Sequence, residues 1–150
     1  MNEKEISPAQ AQSLQIIAAA MGLGIFLLCG VVVFNFFTSA KAPTPEMLRM
    51  VNLLTGVTMA VTAATIVVSE ILWKVLLKPG PSALSGAFIA RTACREGGAL
   101  LGCVTALIAA MSGVLRVYPA YWANLAPAAL FWSYLYLHWP SVANLQNELS

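Results

Sequence analysis

The chain has 150 residues, of which 59% are hydrophobic and only 9% are charged, and its mean hydropathy is +0.78. Soluble domains carry about 25% charged residues, so the composition excludes an ordinary soluble domain. The net charge is only +2, every acidic residue is Glu, and there is a single His, which excludes a Ser-His-Asp triad and a nucleic-acid-binding surface.

Four uncharged blocks follow one another along the chain, and each is long enough to cross a bilayer, which takes roughly 20 apolar residues in a helix. They predict an all-α polytopic membrane protein, a four-transmembrane-helix bundle that forms one membrane domain. The predicted spans lie at about 14–37, 51–73, 95–115 and 119–139.

The first block is expected to remain in the protein as a helix. Its length exceeds the roughly 7 to 15 apolar residues of a secretory signal peptide, and the segment before it is not basic. Lys and Arg counts in the loops then predict that both termini are cytoplasmic and that the protein resides in the cell membrane, the inner membrane if it is bacterial. The predicted cytoplasmic side holds Lys4, Lys74, Lys78, Arg91 and Arg95, against Lys41, Arg49 and Arg116 outside.

Proline and glycine mark the reversal between the second and third spans. Lys78-Pro79-Gly80-Pro81-Ser82 predicts a turn, with Ser82 capping the next helix. In the fourth span, Pro127 is expected to bend the helix and to free the carbonyl of Ala123. Tyrosine and tryptophan residues near both ends of this span are typical of anchors at the membrane interface, while a surface for an aromatic ligand is the alternative.

Small residues recur every fourth position in the spans and predict close helix packing within the chain, while contact with a second copy or another subunit is the alternative. They are Ala18 and Gly22 in span one, Gly56, Ala60 and Ala64 in span two, and Gly98, Gly102, Ala106 and Ala110 in span three.

Span two also carries a stripe of hydroxyl side chains, confined at 100° per residue to an arc of about 80°. We expect each hydroxyl to bond the preceding turn or a neighbouring helix, and the alternative is a wet track or a small-ligand lining. The stripe consists of Thr55, Thr58, Thr62, Thr65 and Ser69.

Ionisable residues gather at the predicted cytoplasmic edge. Arg91 and Arg95 project to the side of Gly98, which predicts a contact of Glu70 with one of them, whereas Glu96 projects nearly opposite and needs another partner or water. An interfacial salt-bridge network is the main interpretation, and the alternatives are docking of anionic lipids or a partner, and handling of protons or ions. The full cluster is Glu70, Lys74, Lys78, Arg91, Arg95 and Glu96; His138 is expected to be an interface residue.

The three cysteines predict little chemistry. Cys94 and Cys103 face opposite sides of one helix and Cys29 lies on another span, so no CxxC pair and no metal site is predicted. Their expected role is that of buried small apolar residues, and no cofactor is expected.

Residues 95–102, Arg-Glu-Gly-Gly-Ala-Leu-Leu-Gly, precede Cys-Val-Thr-Ala-Leu. This run resembles the carboxylate-led Gly/Ala helix of small, uncharacterised bacterial four-helix integral membrane proteins and, more distantly, is similar to rotary ATPase proteolipids. The resemblance covers about 20 residues and implies close helix packing. Because Glu96 lies at the membrane edge and span one lacks an alternating glycine run, no ion site is assigned to Glu96.

These features predict a non-enzymatic integral membrane protein, a subunit, stabiliser or assembly factor of a larger membrane complex. Its expected partners are the lipid bilayer, including anionic lipids, and other membrane subunits or a second copy of the chain. One alternative is a small transporter or an ion- or proton-conducting protein that uses the Thr stripe and Glu70. Another is a small membrane enzyme that holds an anionic substrate through Arg91, Arg95 and tyrosines.

Overall fold

The computed structural model describes residues 6–78 and 83–149, and within these ranges the chain contains helices and no strand. The all-α prediction is therefore confirmed. Three helices, α1 to α3, are long and apolar enough to cross a membrane. The elements are α1 (Pro8–Thr38), α2 (Pro45–Leu76), α3 (Leu84–Met111), α4 (Val114–Val117), a 3-10 helix (Pro119–Leu125), α5 (Ala126–Leu137) and α6 (Val142–Leu149).

Capping residues fix the starts of the first two helices. The Ser7 side chain accepts a hydrogen bond from the Gln10 backbone N–H, and the Thr44 side chain accepts one from that of Met47. A proline follows each cap, where its missing N–H costs nothing because the first turn leaves that donor unpaired in any helix. The predicted cap at Ser82, like the rest of the turn from Pro79 to Ser82, lies outside the described residues.

Helix α3 is the centre of the bundle and contacts α1, α2, α5 and the 3-10 helix. One apolar core joins α1, α3 and α5, with Ile25, Phe88 and Phe131 among its fully buried side chains. A second core lies at the other end of the helices and includes Val32 and Val51. Elsewhere α1 and α2 present long rows of exposed large apolar side chains, a pattern typical of lipid-exposed helices.

The predicted fourth span is a broken helix. Tyr118 leads into seven residues of 3-10 helix, and the α-helical part begins only at Ala126. Pro127 stands in the first turn of α5 and so starts this helix instead of bending it. The predicted release of the Ala123 carbonyl is wrong, because the tighter 3-10 geometry brings the Ala126 N–H onto it.

This broken segment lies beside α1 from the last turn of that helix back to Gln15. At one end, Arg116 donates hydrogen bonds to the carbonyls of Phe36 and Phe37, in the last turn of α1. At the other end, the Gln15 side chain donates to the carbonyl of Pro140, 3.3 Å away. The segment from Arg116 to Pro140 therefore extends along α1 between these two contacts.

The reversal after α3 depends on a glycine. Gly113 has φ +75°, a conformation that disfavours any residue with a side chain. A Cβ at this position would also collide with the carbonyl of Lys41, so the turn is pressed against the α1–α2 connection.

The small residues of α1 and α3 lie on packed faces, but those of α2 do not. Gly98 abuts Thr62 and Thr65 of α2, and a Cβ on Gly102 would stand only 2.5 Å from the Asn124 carbonyl oxygen. Buried with them are Ala18, Gly22, Ala106 and Ala110. By contrast Gly56, Ala60 and Ala64 are exposed, because α2 turns its hydroxyl stripe toward α3.

We expect Gly102→Ala to lower the free energy of unfolding by about 1–3 kcal/mol, because its methyl group has no room beside the Asn124 carbonyl and Pro127. Gly97→Ala is the matched control on the same helix, where a Cβ meets nothing within 4 Å. That substitution is expected to stabilise by up to about 1 kcal/mol through helix propensity. Both are measured by denaturation in detergent, and equal effects of the two would contradict the close approach at Gly102.

Candidate functional site

An Arg–Glu cluster, formed by Glu70, Arg91, Arg95 and Glu148, joins α2, α3 and α6 at one end of the bundle. Glu70 accepts hydrogen bonds from Arg91 Nη2 on both carboxylate oxygens, at 2.9 and 3.1 Å, and from Arg91 Nε at 3.2 Å. Arg95 Nη2 donates to the same Oε1 atom. A single carboxylate is therefore shared by two guanidinium groups, an arrangement that the fork of arginine donors suits better than lysine would.

Aromatic rings enclose the guanidinium groups. The Arg91 side chain is only 9% exposed, with its Cζ atom 5.0 Å from the Trp73 ring centroid and 5.3 Å from that of Tyr134. Arg95 Cζ lies 4.3 Å from the centroid of Tyr134. Cation–π attraction gains strength when water is excluded, so these rings stabilise the two charges where solvent cannot.

The C-terminal helix α6 covers this end of the bundle. Glu148 Oε2 lies 3.2 Å from Arg91 Nη1, and Glu148 Oε1 lies 2.7 Å from His138 Nδ1. Leu145, on the same helix, is 98% buried in the core of α1, α3 and α5. Two carboxylates thus balance two arginines, and His138 takes part in the network, although its position in the sequence gave no sign of this.

The remaining predicted members lie apart from the cluster. Lys74 and Lys78 are exposed, and Glu96 is half-buried on another face of α3. Among the described residues, no ion pair joins any of these three to another side chain. These three residues take no part in the Arg–Glu cluster and face the surroundings of the protein.

The hydroxyl stripe of α2 faces the inside of the bundle. Thr55, Thr65 and Ser69 donate to carbonyls of their own preceding turn. Thr58 lies 2.8 Å from the hydroxyl of Thr105 on α3, and both are fully buried. Ser69 also accepts a hydrogen bond from Arg95 Nε, so the stripe ends at the Arg–Glu cluster.

Asn124 closes the other end of the stripe. Its side-chain amide donates to Thr55 Oγ1 at 3.1 Å and to the Tyr121 carbonyl at 3.0 Å. This contact fixes the 3-10 helix against α2. Polar contacts therefore recur along α2 from the Arg–Glu cluster to Asn124. Thr62 is the exception to the expectation that each hydroxyl is bonded, because its buried hydroxyl has no hydrogen-bond partner among the described residues.

Two cavities bear on ligand binding. One, of about 70 Å³, lies beside Thr62, Thr65 and Arg95 and is too small for an organic ligand, since such sites measure about 300–1,000 Å³. The other, of about 510 Å³, is an apolar groove between α1 and α5 that opens outward. Neither arginine of the Arg–Glu cluster lines this groove, and its walls are Ala18, Ala19, Gly22, Leu23, Phe26, Trp132, Leu135, Tyr136 and Trp139.

Two cysteines meet across helices, which their separation in the sequence did not predict. Cys29 on α1 and Cys103 on α3 have sulfur atoms 3.5 Å apart. Cys103 is fully buried and Cys29 is half-buried. Their expected role as buried small residues did not include a contact between the two sulfur atoms. Within the described residues, no three His, Cys or Glu side chains converge as ligands of one metal ion would.

Comparisons with protein-family models, curated proteins and solved structures yield no match for this chain. The resemblance of residues 95–102 to small bacterial membrane proteins therefore stays an expectation.

We expect Glu70→Gln to lower the free energy of unfolding by about 1–3 kcal/mol, because it leaves two largely buried arginines with a neutral acceptor. Solvent limits the loss, because the Glu70 side chain is 39% exposed and its charge is partly screened. Glu96→Gln is the matched control at a similar burial, with an expected change within about 0.5 kcal/mol. Denaturation in detergent measures both, and an unaltered Glu70→Gln protein would remove the structural role of this pairing.

Proposed function

We propose that this protein is a non-enzymatic, four-span membrane protein that acts as a subunit, stabiliser or assembly factor of a larger membrane complex. The partner surface is the exposed small-residue face of α2, defined by Asn52, Gly56, Ala60 and Ala64. This face is the observation that carries the proposal. The polar interior of the bundle gives it independent support.

The exposed face of α2 has the small residues that are typical of a helix-packing surface, but no helix of the described chain packs against it. Gly56 has nothing within 4 Å of where a Cβ would stand, and an open groove of about 550 Å³ extends along it between Arg49 and Ala60. Asn52, one turn from Gly56, is exposed. Lipid-exposed helices associate through small residues that let backbones approach and through polar side chains that hydrogen-bond between helices.

The Arg–Glu cluster favours a structural role over conduction. Glu70 is shared by two arginines, and a carboxylate held in this way keeps its charge, whereas a proton carrier has to gain and lose protons. Four hydroxyls of the α2 stripe bond backbone carbonyls, Thr105 or Arg95, whereas the buried Thr62 hydroxyl has no hydrogen-bond partner among the described residues. The contacts of these four hydroxyls support helix packing as the main role of the stripe.

The traverse from Arg116 to Pro140 supports a fourth crossing. The 3-10 helix has 7 residues and α5 has 12, which together span about 32 Å, close to the roughly 30 Å of a bilayer core. The helix break is tolerated at membrane depth because α3 and α2 cover it, with Asn124 bonded to Thr55. Four crossings place the two termini on the same side, and the basic loops favour the cytoplasmic side.

We expect Gly56→Leu to release the protein from its complex, because the added side chain fills the groove on α2. Gly24→Leu on α1 is the matched control, since Gly24 is likewise exposed with nothing within 4 Å of a Cβ. The protein is extracted from its native membrane in mild detergent, and the size of the extracted species is measured for both variants. A wild-type protein that is strictly monomeric and without a partner would overturn the proposal.

The number of crossings is tested by placing a protease-sensitive tag at each end of the chain. In sealed vesicles of known orientation, four crossings give tags that are cleaved from the same side, and the expected side is the cytoplasmic one. Cleavage of the two tags from opposite sides would contradict the fourth crossing.

A further inference from the structure

The sulfur atoms of Cys29 and Cys103 are in direct contact across two helices. Their sulfur atoms are 3.5 Å apart, so a bond of roughly 2.05 Å requires an approach of only about 1.5 Å. The two residues lie on different helices and are separated by 74 positions. Bond formation would tie α1 to α3, which otherwise pack through apolar side chains such as Ile25 and Phe88.

The pair lies deep within both helices, far from either end of the bundle. Cys29 is more than two turns from the end of α1 at Thr38, and Cys103 is more than two turns from the end of α3 at Met111. If both helices span the bilayer, as their length and hydropathy allow, the sulfurs lie in its hydrocarbon region. An oxidant that reaches them has to dissolve in lipid, and the half-buried Cys29 is the thiol that it meets first.

We propose that Cys29 and Cys103 form a redox-active dithiol that reduces a membrane-soluble quinone and closes to a disulfide. In this step both S–H bonds break and one S–S bond forms. The two electrons and two protons pass to the two carbonyl oxygens of the quinone, which leaves as the quinol. The proposal is independent of the partner surface on α2, because no residue of that face takes part.

Packing alone also explains two small buried side chains, so the test has to detect chemistry. Cys94 provides an internal control, since it lies on α3 nine positions before Cys103 and, among the described residues, its sulfur faces no second thiol. Alanine fills nearly the same space as cysteine but cannot be oxidised. Thermal denaturation of each alanine variant checks that it is folded.

The full chain is reconstituted in liposomes in the reduced state, and a short-chain benzoquinone is added without oxygen. Quinol is followed by absorbance, and remaining thiols are alkylated and located by mass spectrometry. The expected result is one quinol per chain, loss of two of the three alkylatable thiols, and a linked Cys29–Cys103 peptide lighter by two hydrogen atoms. Cys94→Ala gives the same yield, whereas Cys29→Ala and Cys103→Ala each abolish quinol formation.

Three results would overturn the proposal. The first is a wild-type protein that keeps three alkylatable thiols and forms no quinol. The second is quinol formation that persists in Cys103→Ala, which would place the reaction elsewhere. The third is a stable quinone adduct on Cys29 with no disulfide, which would show that Cys103 cannot complete the exchange.

Discussion

The whole bundle depends on one constraint, which is that charged and polar side chains among apolar helices have to find their partners within the protein. Glu70 satisfies this constraint for two arginines at once, and the rings of Trp73 and Tyr134 replace the water that those arginines lose. The position of α3 against α2 follows from this shared carboxylate. The hydroxyls beyond it continue the same alignment through Thr58 and Thr105 as far as Asn124.

The sequence alone predicted the elements better than the faces they pack with. The helical class and the approach of Glu70 to the arginines follow from block length and from 100° per residue. Which face of α2 packs against α3 does not follow from these patterns. The hydroxyl stripe and the small-residue line of α2 are about 180° apart on the helix, so they cannot both face α3. Hydrogen bonding to Thr105 and Arg95 decides in favour of the hydroxyls.

Other features depend on contacts between distant segments that no local pattern reports. The 3-10 helix at Pro119–Leu125 reflects the packing of Asn124 and Pro127 onto Gly102. The contact of Cys29 with Cys103 reflects how α1 is rotated against α3. His138 enters the network only because α6 folds back over the bundle. The neighbour that decides the contact is 74 residues away for Cys29 and 10 residues away for His138, in both cases on a different helix or beyond a chain reversal.

The position of Glu148 also has a consequence for the order in which the protein is made. Arg91 precedes this partner by 57 residues, and a ribosome releases the chain from the N-terminus onward. Glu70 is therefore already present when α3 is made, whereas Glu148 and the rest of α6, which cover Arg91, are made 57 residues later. The arginine end of the bundle therefore stays open until α6 has been made, after α3 and the segment from Arg116 to Pro140 are already in place.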